Sequence, residues 1–341
     1  MEMSKSHLSR RVLLGASAAT LLAPAVLRAA EPLKIRCSLD TAQSHPRNQA
    51  MVDYLAKLEK ASGGAIQGQV FHAGQLYADL NVSKALLQGQ VEMACPGAWV
   101  LTGLVPDCDL VQLPYFYGAT TEVTYKATDG AAGAHVSKEL EGKLKSQVLG
   151  PWIDLGYQNW YATKTPLTSF ASLKSLKIRS PGGAAISWRI KFAGGIPNTT
   201  AWPNVPLALS QGTFDAFVST DESCNSAKLW EAGVKYSYAD HQFMGQYVPM
   251  VSDAFWGKLS AAQQKMMKDL WAENIMGYRK NSHASQANGR KILEQNGVKF
   301  TDPSQDELAA TRKAMLGDLA SMVKEAKLSD EIVKLVQQAI G

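Results

Sequence analysis

Hydrophobic and polar residues alternate along the segments that follow the first thirty residues. Leu33–Leu39 has the period of two that predicts a strand, and Asn48–Ala61 has a helical period and stops at a Gly-Gly pair. The pattern continues with a strand at Ile66–Phe71, a helix at Asp79–Gln88 and a short strand at Val91–Cys95. Strands that alternate with helices are joined by crossover connections, which favour a parallel sheet covered by helices.

The rest of the chain is predicted to continue as an α/β protein. The predicted elements are strands at Ser146–Trp152, Gln158–Ala162, Leu176–Arg179 and Ala216–Ser219, helices at Ala184–Phe192 and Val205–Gln211, and a mostly helical region from Ala261 onward. No internal repeat and no Pro- or Gly-rich linker divides these elements. The 341 residues suffice for two cores, and two lobes that exchange segments through several strands would explain the missing boundary.

Composition excludes several classes of protein. With 46% hydrophobic and 19% charged residues, the chain is not a disordered protein. No apolar run approaches the roughly 20 residues that a spanning helix needs. Four of the 35 basic residues but only one of the 30 acidic residues fall within positions 1–30, which leaves +2 for the remainder. A body so close to neutral is not expected to bind nucleic acid.

Residues 1–30 have the features of an export signal. Arg10 and Arg11 precede a modest apolar run that is broken by Gly15 and Pro24, and an Ala-rich end follows. The arginine pair followed by two leucines resembles a twin-arginine signal, which exports folded proteins. We therefore predict cleavage between Ala25 and Ala30 and a periplasmic protein. The alternative is an ordinary secretory signal that happens to contain two arginines.

The sequence contains no recognisable catalytic, cofactor or metal motif. It has no Gly-x-Ser-x-Gly elbow, phosphate-binding loop, dinucleotide fingerprint or His-Glu-x-x-His, and its histidines are scattered singly. We therefore expect neither an enzyme nor a cofactor or metal site. The four cysteines are compatible either with disulfides or with buried free thiols; they are Cys37, Cys95, Cys108 and Cys224.

Seven segments together cover nearly the whole chain after the signal. They are Ser38 with His45-Pro46, Phe71–Leu76, Leu87–Met93, Leu113–Phe116, Leu173–Pro181, Leu207–Ala216, and Val251–Leu259 ahead of a helix that opens at Ser260. No one of these segments is specific alone, but their order and spacing resemble a known family, the DctP-like solute-binding subunits of TRAP transporters.

The resemblance implies a two-lobed periplasmic binding protein fold with crossing strands and a long helix that spans both lobes. We place residues 32–155 and 245–285 in the first lobe, and residues 156–244 and 286–341 in the second. A carboxylate-bearing solute would be trapped between closing lobes and delivered to separate membrane permease subunits. We expect the protein to act as a monomer.

Arg179 is the main predicted ligand-binding residue. It ends an apolar strand in a Lys-Ile-Arg-Ser-Pro match to the family, and Pro181 breaks the strand directly afterwards. A guanidinium there suits a bidentate grip on a carboxylate. Without the family match, an ordinary pairing of Arg179 with a surface acid would be the simpler reading.

Departures from the family pattern point to an apolar ligand body. Gln158 stands where many relatives have a second arginine, and Ser219 stands where an asparagine is common. Indoles are plentiful near the expected site, although core packing is the alternative for Trp99 and Trp160. The full set of predicted ligand-binding residues is Arg179, Trp202, Gln158, Ser219, Trp99, Ser38, Phe217 and Gln242.

We therefore predict an apolar or aromatic monocarboxylate as the ligand, such as an aryl or branched 2-oxo acid. The competing prediction is a C4-type diacid, with the missing positive charge supplied by Arg36 or Lys164. Two other functions use similar folds. One is a periplasmic enzyme, which the folded-export signal would suit, and the other is a sensor that signals to a membrane kinase.

Overall fold

The computed structural model describes residues 31–341, so the predicted signal peptide, residues 1–30, lies outside the described residues. The strands in chain order are β1 (Leu33–Ser38), β2 (Ile66–Phe71), β3 (Met93–Ala94), β4 (Ser146–Val148), β5 (Ile153–Tyr157), β6 (Asn159–Ala162), β7 (Lys177–Ser180), β8 (Ile196–Thr199), β9 (Ala216–Ser219), β10 (Tyr236–Tyr238), β11 (Met244–Tyr247), β12 (Met250–Ser252) and β13 (Lys299–Thr301).

Helices cover the sheets and form most of the C-terminal region. They are α1 (Pro46–Ala61), α2 (Asp79–Leu87), α3 (Ala98–Leu101), α4 (Thr121–Thr128), α5 (Ala131–Leu144), α6 (Ala184–Phe192), α7 (Val205–Ser210), α8 (Asp221–Ser226), α9 (Asp253–Trp256), α10 (Ala261–Gln295), α11 (Gln305–Gly317), α12 (Leu319–Ala326) and α13 (Asp330–Ile340). Short 3₁₀ helices include Pro106–Gln112 and Trp202–Asn204. Within residues 31–341, no helix is both long and apolar enough to cross a bilayer.

The first sheet has five strands in the order β2-β1-β3-β12-β4. β1 runs parallel to β2 and to β3, which confirms the crossover connections predicted for this region. The sheet is nevertheless mixed, because β12 lies antiparallel between β3 and β4. A strand that arrives from so far along the chain leaves no local signal in the early sequence.

The second sheet has six strands in the order β13-β10-β6-β9-β7-β8. β7 runs parallel to both β8 and β9, whereas β6 runs antiparallel to β9 and β10. Arg179 therefore lies on a central strand of this sheet, one residue before the end of β7. The carboxyl ends of β7 and β9 lie side by side, as parallel strands require.

Two crossing strands join the sheets. β5 follows β4 of the first sheet and precedes β6 of the second, and β11 returns from β10 to β12. β5 and β11 pair with each other in antiparallel register. Helix α10, 35 residues and therefore roughly 50 Å long, packs against α1 on one side and α8 on the other. This two-lobed α/β architecture with crossing strands and a spanning helix confirms the predicted fold class.

The predicted lobe boundaries remain a prediction. Every strand of the first sheet falls within residues 32–155 and 245–285, and every strand of the second falls within the complementary ranges. The C-terminal helices contact both groups, because α13 packs against α4 and α5 whereas α12 packs against α6. Residues 305–341 thus reach back to the helices of the first sheet.

Candidate ligand-binding site

A narrow pocket lies between the two sheets, where several strands end. Asp40 and Thr41 follow β1, Pro181 follows β7, and Ser219 ends β9. Ligands of open α/β sheets commonly bind outside the carboxyl ends of strands. The complete lining is Asp40, Thr41, Asp79, Trp99, Leu155, Gln158, Arg179, Pro181, Trp202, Val218, Ser219, Ser223 and Tyr247. The pocket is small, because the volume open to the centre of a water molecule is about 20 Å³.

Arg179 is a buried cation that forms no ion pair with a carboxylate in the described part of the chain. Its Nε donates to the carbonyl of Thr200 at 2.9 Å, and one Nη donates to the carbonyl of Val218 at 3.2 Å. Its side chain forms no ion pair within 4.0 Å among residues 31–341. Burial lowers the pKa of Arg179 to about 10, so the guanidinium stays charged at neutral pH. A buried charge that lacks a partner is costly unless a ligand supplies one.

Trp202 forms one wall of the pocket beside this cation. The Arg179 guanidinium carbon lies 5.5 Å from the centroid of the indole, which is within cation–π range. The backbone N–H of Trp202 donates to both carboxylate oxygens of Asp79, each at 3.2 Å. Asp79 begins α2, which packs on the first sheet. This contact therefore bridges the two halves of the protein at the pocket.

Gln158 lies at the junction of β5 and β6, and its side chain carries an unpartnered donor. Its Nε2 is buried and has no hydrogen-bond partner in the described part of the chain. A Cβ added to Gly245 would lie 2.8 Å from this nitrogen and 3.2 Å from the ring of Trp99. The absence of a side chain at Gly245 thus makes room for both pocket groups.

Trp99 closes the pocket from α3. Its indole folds over Gly97 so closely that a Cβ there would lie 2.3 Å from the ring. The ring also packs against Tyr247, with centroids 5.6 Å apart. Together with Trp202 and Leu155, these side chains give the pocket an apolar wall.

A second buried arginine supports the opposite side of the pocket. Arg47 donates to Asp40 Oδ1 at 2.6 Å and to Thr41 Oγ1 at 2.7 Å, and its guanidinium lies 3.9 Å from the Tyr247 ring centroid. Burial alone would lower the pKa of Arg47, but the Asp40 carboxylate, together with Tyr247 and Cys95, raises it above its ordinary value. Arg47 therefore holds two lining residues in place and neutralises one of them.

The sequence model of a protein family, the bacterial extracellular solute-binding proteins, family 7 (DctP), matches residues 38–326 of this chain. The chain belongs to the DctP family. The chain is similar to the C4-dicarboxylate-binding periplasmic protein of Rhodobacter capsulatus, with 28% identity over 317 residues, which cover 90% of this chain and 92% of that one.

Solved structures of TRAP periplasmic solute-binding proteins share the fold. A Shewanella oneidensis protein with bound succinate has a TM-score of 0.83 and 20% identity, covering 91% of this chain and 100% of that one. A Desulfovibrio salexigens protein with bound orotic acid has a TM-score of 0.82 and 19% identity, covering 90% and 98%. Because the family model covers most of the chain, this DctP-family protein is a periplasmic solute-binding component of a transporter and not an enzyme.

The structure brings five of the eight predicted ligand-binding residues to the pocket of this DctP-family protein. They are Arg179, Trp202, Gln158, Ser219 and Trp99. Sequence reasoning missed the carboxylates of Asp40 and Asp79 and the ring of Tyr247. The position of Asp40, two residues after the end of β1, was an available signal, because the carboxyl end of that strand is where a site is expected.

Three predicted residues lie outside the pocket lining, for different reasons. The hydroxyl of Ser38 is tied to the backbone of Tyr77, at 3.3 Å from its nitrogen and 3.4 Å from its oxygen. Phe217 is fully buried in the core of the second sheet, where its ring stacks on that of Tyr161 at 5.2 Å. Gln242 is fully buried in the segment between β10 and β11, and its backbone N–H donates to the carbonyl of Gln158 at 3.0 Å.

The candidates for an extra positive charge are also placed away from the pocket. Arg36 is half exposed and pairs with Glu92, its Nε lying 2.9 Å from a carboxylate oxygen. Lys164 is exposed and does not line the pocket.

Trp160 packs in the core, which was the alternative predicted for it. It is fully buried and donates its indole N–H to Asp240 at 2.7 Å.

The state of the cysteines was left open by the sequence. All four cysteines are buried free thiols, and burial raises the pKa of Cys37 to about 12.

One group of possible metal ligands was not predicted. Within residues 31–341, Asp107, His135 and Glu139 lie close enough to share a metal ion. However, Asp107 already accepts hydrogen bonds from the backbone N–H and the hydroxyl of Ser329, at 2.8 and 2.5 Å. Asp107 thereby contacts Ser329, the N-cap residue of α13.

Proposed function

We propose that this protein binds an apolar or aromatic monocarboxylate in the periplasm and delivers it to TRAP permease subunits. The observation that carries the proposal is the guanidinium of Arg179, which is 1% exposed and has no carboxylate partner within the described chain. A ligand carboxylate would supply the missing counter-charge. Charge-assisted bonds to such a group also fix its orientation.

The charges of the lining support one ligand carboxylate rather than two. The pocket already contains the carboxylates of Asp40 and Asp79, and Arg47 is committed to Asp40. A second carboxylate on the ligand would lie beside like charges, and the described pocket lining offers no further cation to balance it. The relative with bound succinate and the R. capsulatus C4-dicarboxylate protein make diacids the main competing class.

The walls of the pocket support an apolar ligand body. Trp99, Trp202, Tyr247 and Leu155 offer flat or apolar surfaces in a narrow space, which suits a small planar or branched group. Offset stacking on an indole adds roughly 0.5–1.5 kcal/mol beyond burial. The neutral amide of Gln158 and hydroxyl of Ser219 are proposed as hydrogen-bond partners of the carboxylate.

A thermal-shift screen tests this proposal, because a bound ligand stabilises the folded state by mass action. The panel contains phenylpyruvate and 4-methyl-2-oxopentanoate with their 2-hydroxy counterparts 3-phenyllactate and 2-hydroxy-4-methylpentanoate, the C4 diacids succinate and malate, and the sugar acids glucuronate and galactonate. We expect an aromatic or branched acid to give the largest rise in melting temperature. If only diacids or sugar acids raise it, the proposed ligand class is wrong.

We further propose that residues 1–30 are a twin-arginine signal. Replacement of Arg10 and Arg11 by lysine should then abolish export of a fused reporter, although the charge is unchanged. Continued export of that variant, or export in cells that lack the twin-arginine translocase, would identify an ordinary secretory signal instead.

A further inference from the structure

Asp79 presents a carboxylate to the pocket that forms no ion pair with any of the described residues. The residue is 6% exposed, and both of its oxygens share the backbone N–H of Trp202 at 3.2 Å. It forms no ion pair within 4.0 Å among residues 31–341. A carboxylate can accept about four hydrogen bonds, so Asp79 retains unused acceptor capacity.

Asp40 adds a second acceptor on the same side. Its Oδ1 is occupied by Arg47 at 2.6 Å, whereas its Oδ2 accepts no hydrogen bond from the described residues. The pocket therefore has a donor end, formed by Arg179 and the free Nε2 of Gln158, and an acceptor end, formed by Asp79 and Asp40.

Both ends border Trp202. Its indole faces the guanidinium of Arg179, and its backbone N–H contacts Asp79. The two unpaired charges are thus close neighbours, and one small molecule can contact both. Burial, and then the charge of Asp40, raise the pKa of Asp79 to about 6, while Arg179 opposes the shift. The group remains mostly ionised, and so accepts hydrogen bonds only, at neutral pH.

We propose that the ligand carries a hydrogen-bond donor next to its carboxylate, either an amine or a hydroxyl, which Asp79 accepts while Arg179 binds the carboxylate. This inference rests on the proposed function, because it needs Arg179 to hold a carboxylate. It favours 2-amino or 2-hydroxy acids over 2-oxo acids, since a 2-oxo group can only accept and would face an acceptor. The 2-oxo acids expected from the sequence alone are therefore disfavoured.

Four acids with one carbon skeleton test this inference by calorimetry on the mature protein at pH 7.5. They are 3-phenylpropanoate, phenylpyruvate, 3-phenyllactate and phenylalanine. We expect phenyllactate or phenylalanine to bind at least about tenfold more tightly than phenylpyruvate, as one hydrogen bond to a charged group implies. The tighter of the two identifies a hydroxyl or an amine as the donor.

Asp79→Asn distinguishes recognition of the donor from a purely structural role. The amide can still accept from Trp202, but it can also donate to a 2-oxo group, so the preference should shrink to less than about threefold or reverse. If Asp79 only positions Trp202, the affinities for all four acids should fall together.

Asp109→Asn is a matched control, because Asp109 is also buried and accepts a backbone N–H across the two halves, from Ala185 at 3.1 Å, but does not line the pocket. Its preference among the four acids should equal that of the wild type.

The outcomes separate this inference from the proposed function. If phenylpyruvate binds the wild type as tightly as the donor-bearing acids, the inference is wrong while the proposed ligand class stands. If none of the four binds but C4 diacids do, the apolar ligand class is wrong, and malate against succinate then tests the donor alone. Malate binding no more tightly than succinate would overturn the inference, and no binding of any acid would overturn both proposals.

Discussion

Replacement of Arg179 should strongly weaken ligand binding in a protein that still folds. Arginine has five N–H groups, and the backbone carbonyls of Thr200 and Val218 accept two of those of Arg179. Two of the remaining groups can bind a carboxylate in parallel. At roughly 1.5–3 kcal/mol for each hydrogen bond to a charged group, Arg179→Ala should cost about 3–6 kcal/mol, or about 10²- to 10⁴-fold in Kd.

Arg179→Lys should recover only part of this loss. An ammonium keeps the charge but cannot replace the planar fork that contacts two carbonyls and a carboxylate at once. We expect an affinity about 10- to 100-fold below that of the wild type. Isothermal titration calorimetry with the panel acid that gives the largest thermal shift provides the Kd, and the melting temperature without ligand shows whether each variant is folded.

Arg36→Ala is the matched control, because it removes one arginine from a strand but leaves the pocket intact. Arg36 is half exposed and paired with Glu92, so its loss should leave the Kd within about twofold and change stability by no more than about 1 kcal/mol. A folded Arg179→Ala protein that binds the acid with wild-type affinity would refute the role of Arg179 as the carboxylate-binding group.

Four further outcomes follow from the structure. Phe217→Ala should lower the free energy of unfolding by about 3–5 kcal/mol without changing the Kd of the folded protein, measured by urea titration and calorimetry; a large loss of affinity would make Phe217 a ligand contact. Gly245→Ala should weaken ligand binding, because the new Cβ would lie 2.8 Å from Gln158 Nε2. Gly142→Ala, which adds a Cβ in open space on α5, should leave the affinity unchanged. Equal Kd values for the two variants would contradict this. Burial raises the pKa of Asp79 to about 6 from an ordinary 3.8, so its stabilising contribution is present below pH about 4 and is lost as pH rises through about 6. The melting temperature of Asp79→Asn should therefore fall less than that of the wild type over this range. Parallel curves of melting temperature against pH would refute this. The radius of gyration from small-angle scattering should decrease when ligand closes the two lobes, and an unchanged value at saturation would argue against a hinge.

Local sequence signals determined much of the architecture. The alternation of β1, α1, β2 and α2 predicted the parallel core of the first sheet, because strand and helix periods and crossover geometry depend on neighbouring residues. The same logic placed Arg179 at the end of one strand and Gln158 at the start of another. The structure brings both to one pocket, together with Trp202.

The acceptor end of the pocket was decided only by tertiary structure. Asp79 and Trp202, which are hydrogen-bonded, are 123 residues apart in the sequence. Strand β12 (Met250–Ser252) also pairs with β3, which lies far earlier in the chain. Likewise, nothing local separates Phe217, which packs in the core, from Trp202, which lines the pocket. Periodicity tells which residues share a face, but whether that face meets a core or a cleft depends on what packs against it, and that is fixed by contacts between distant segments.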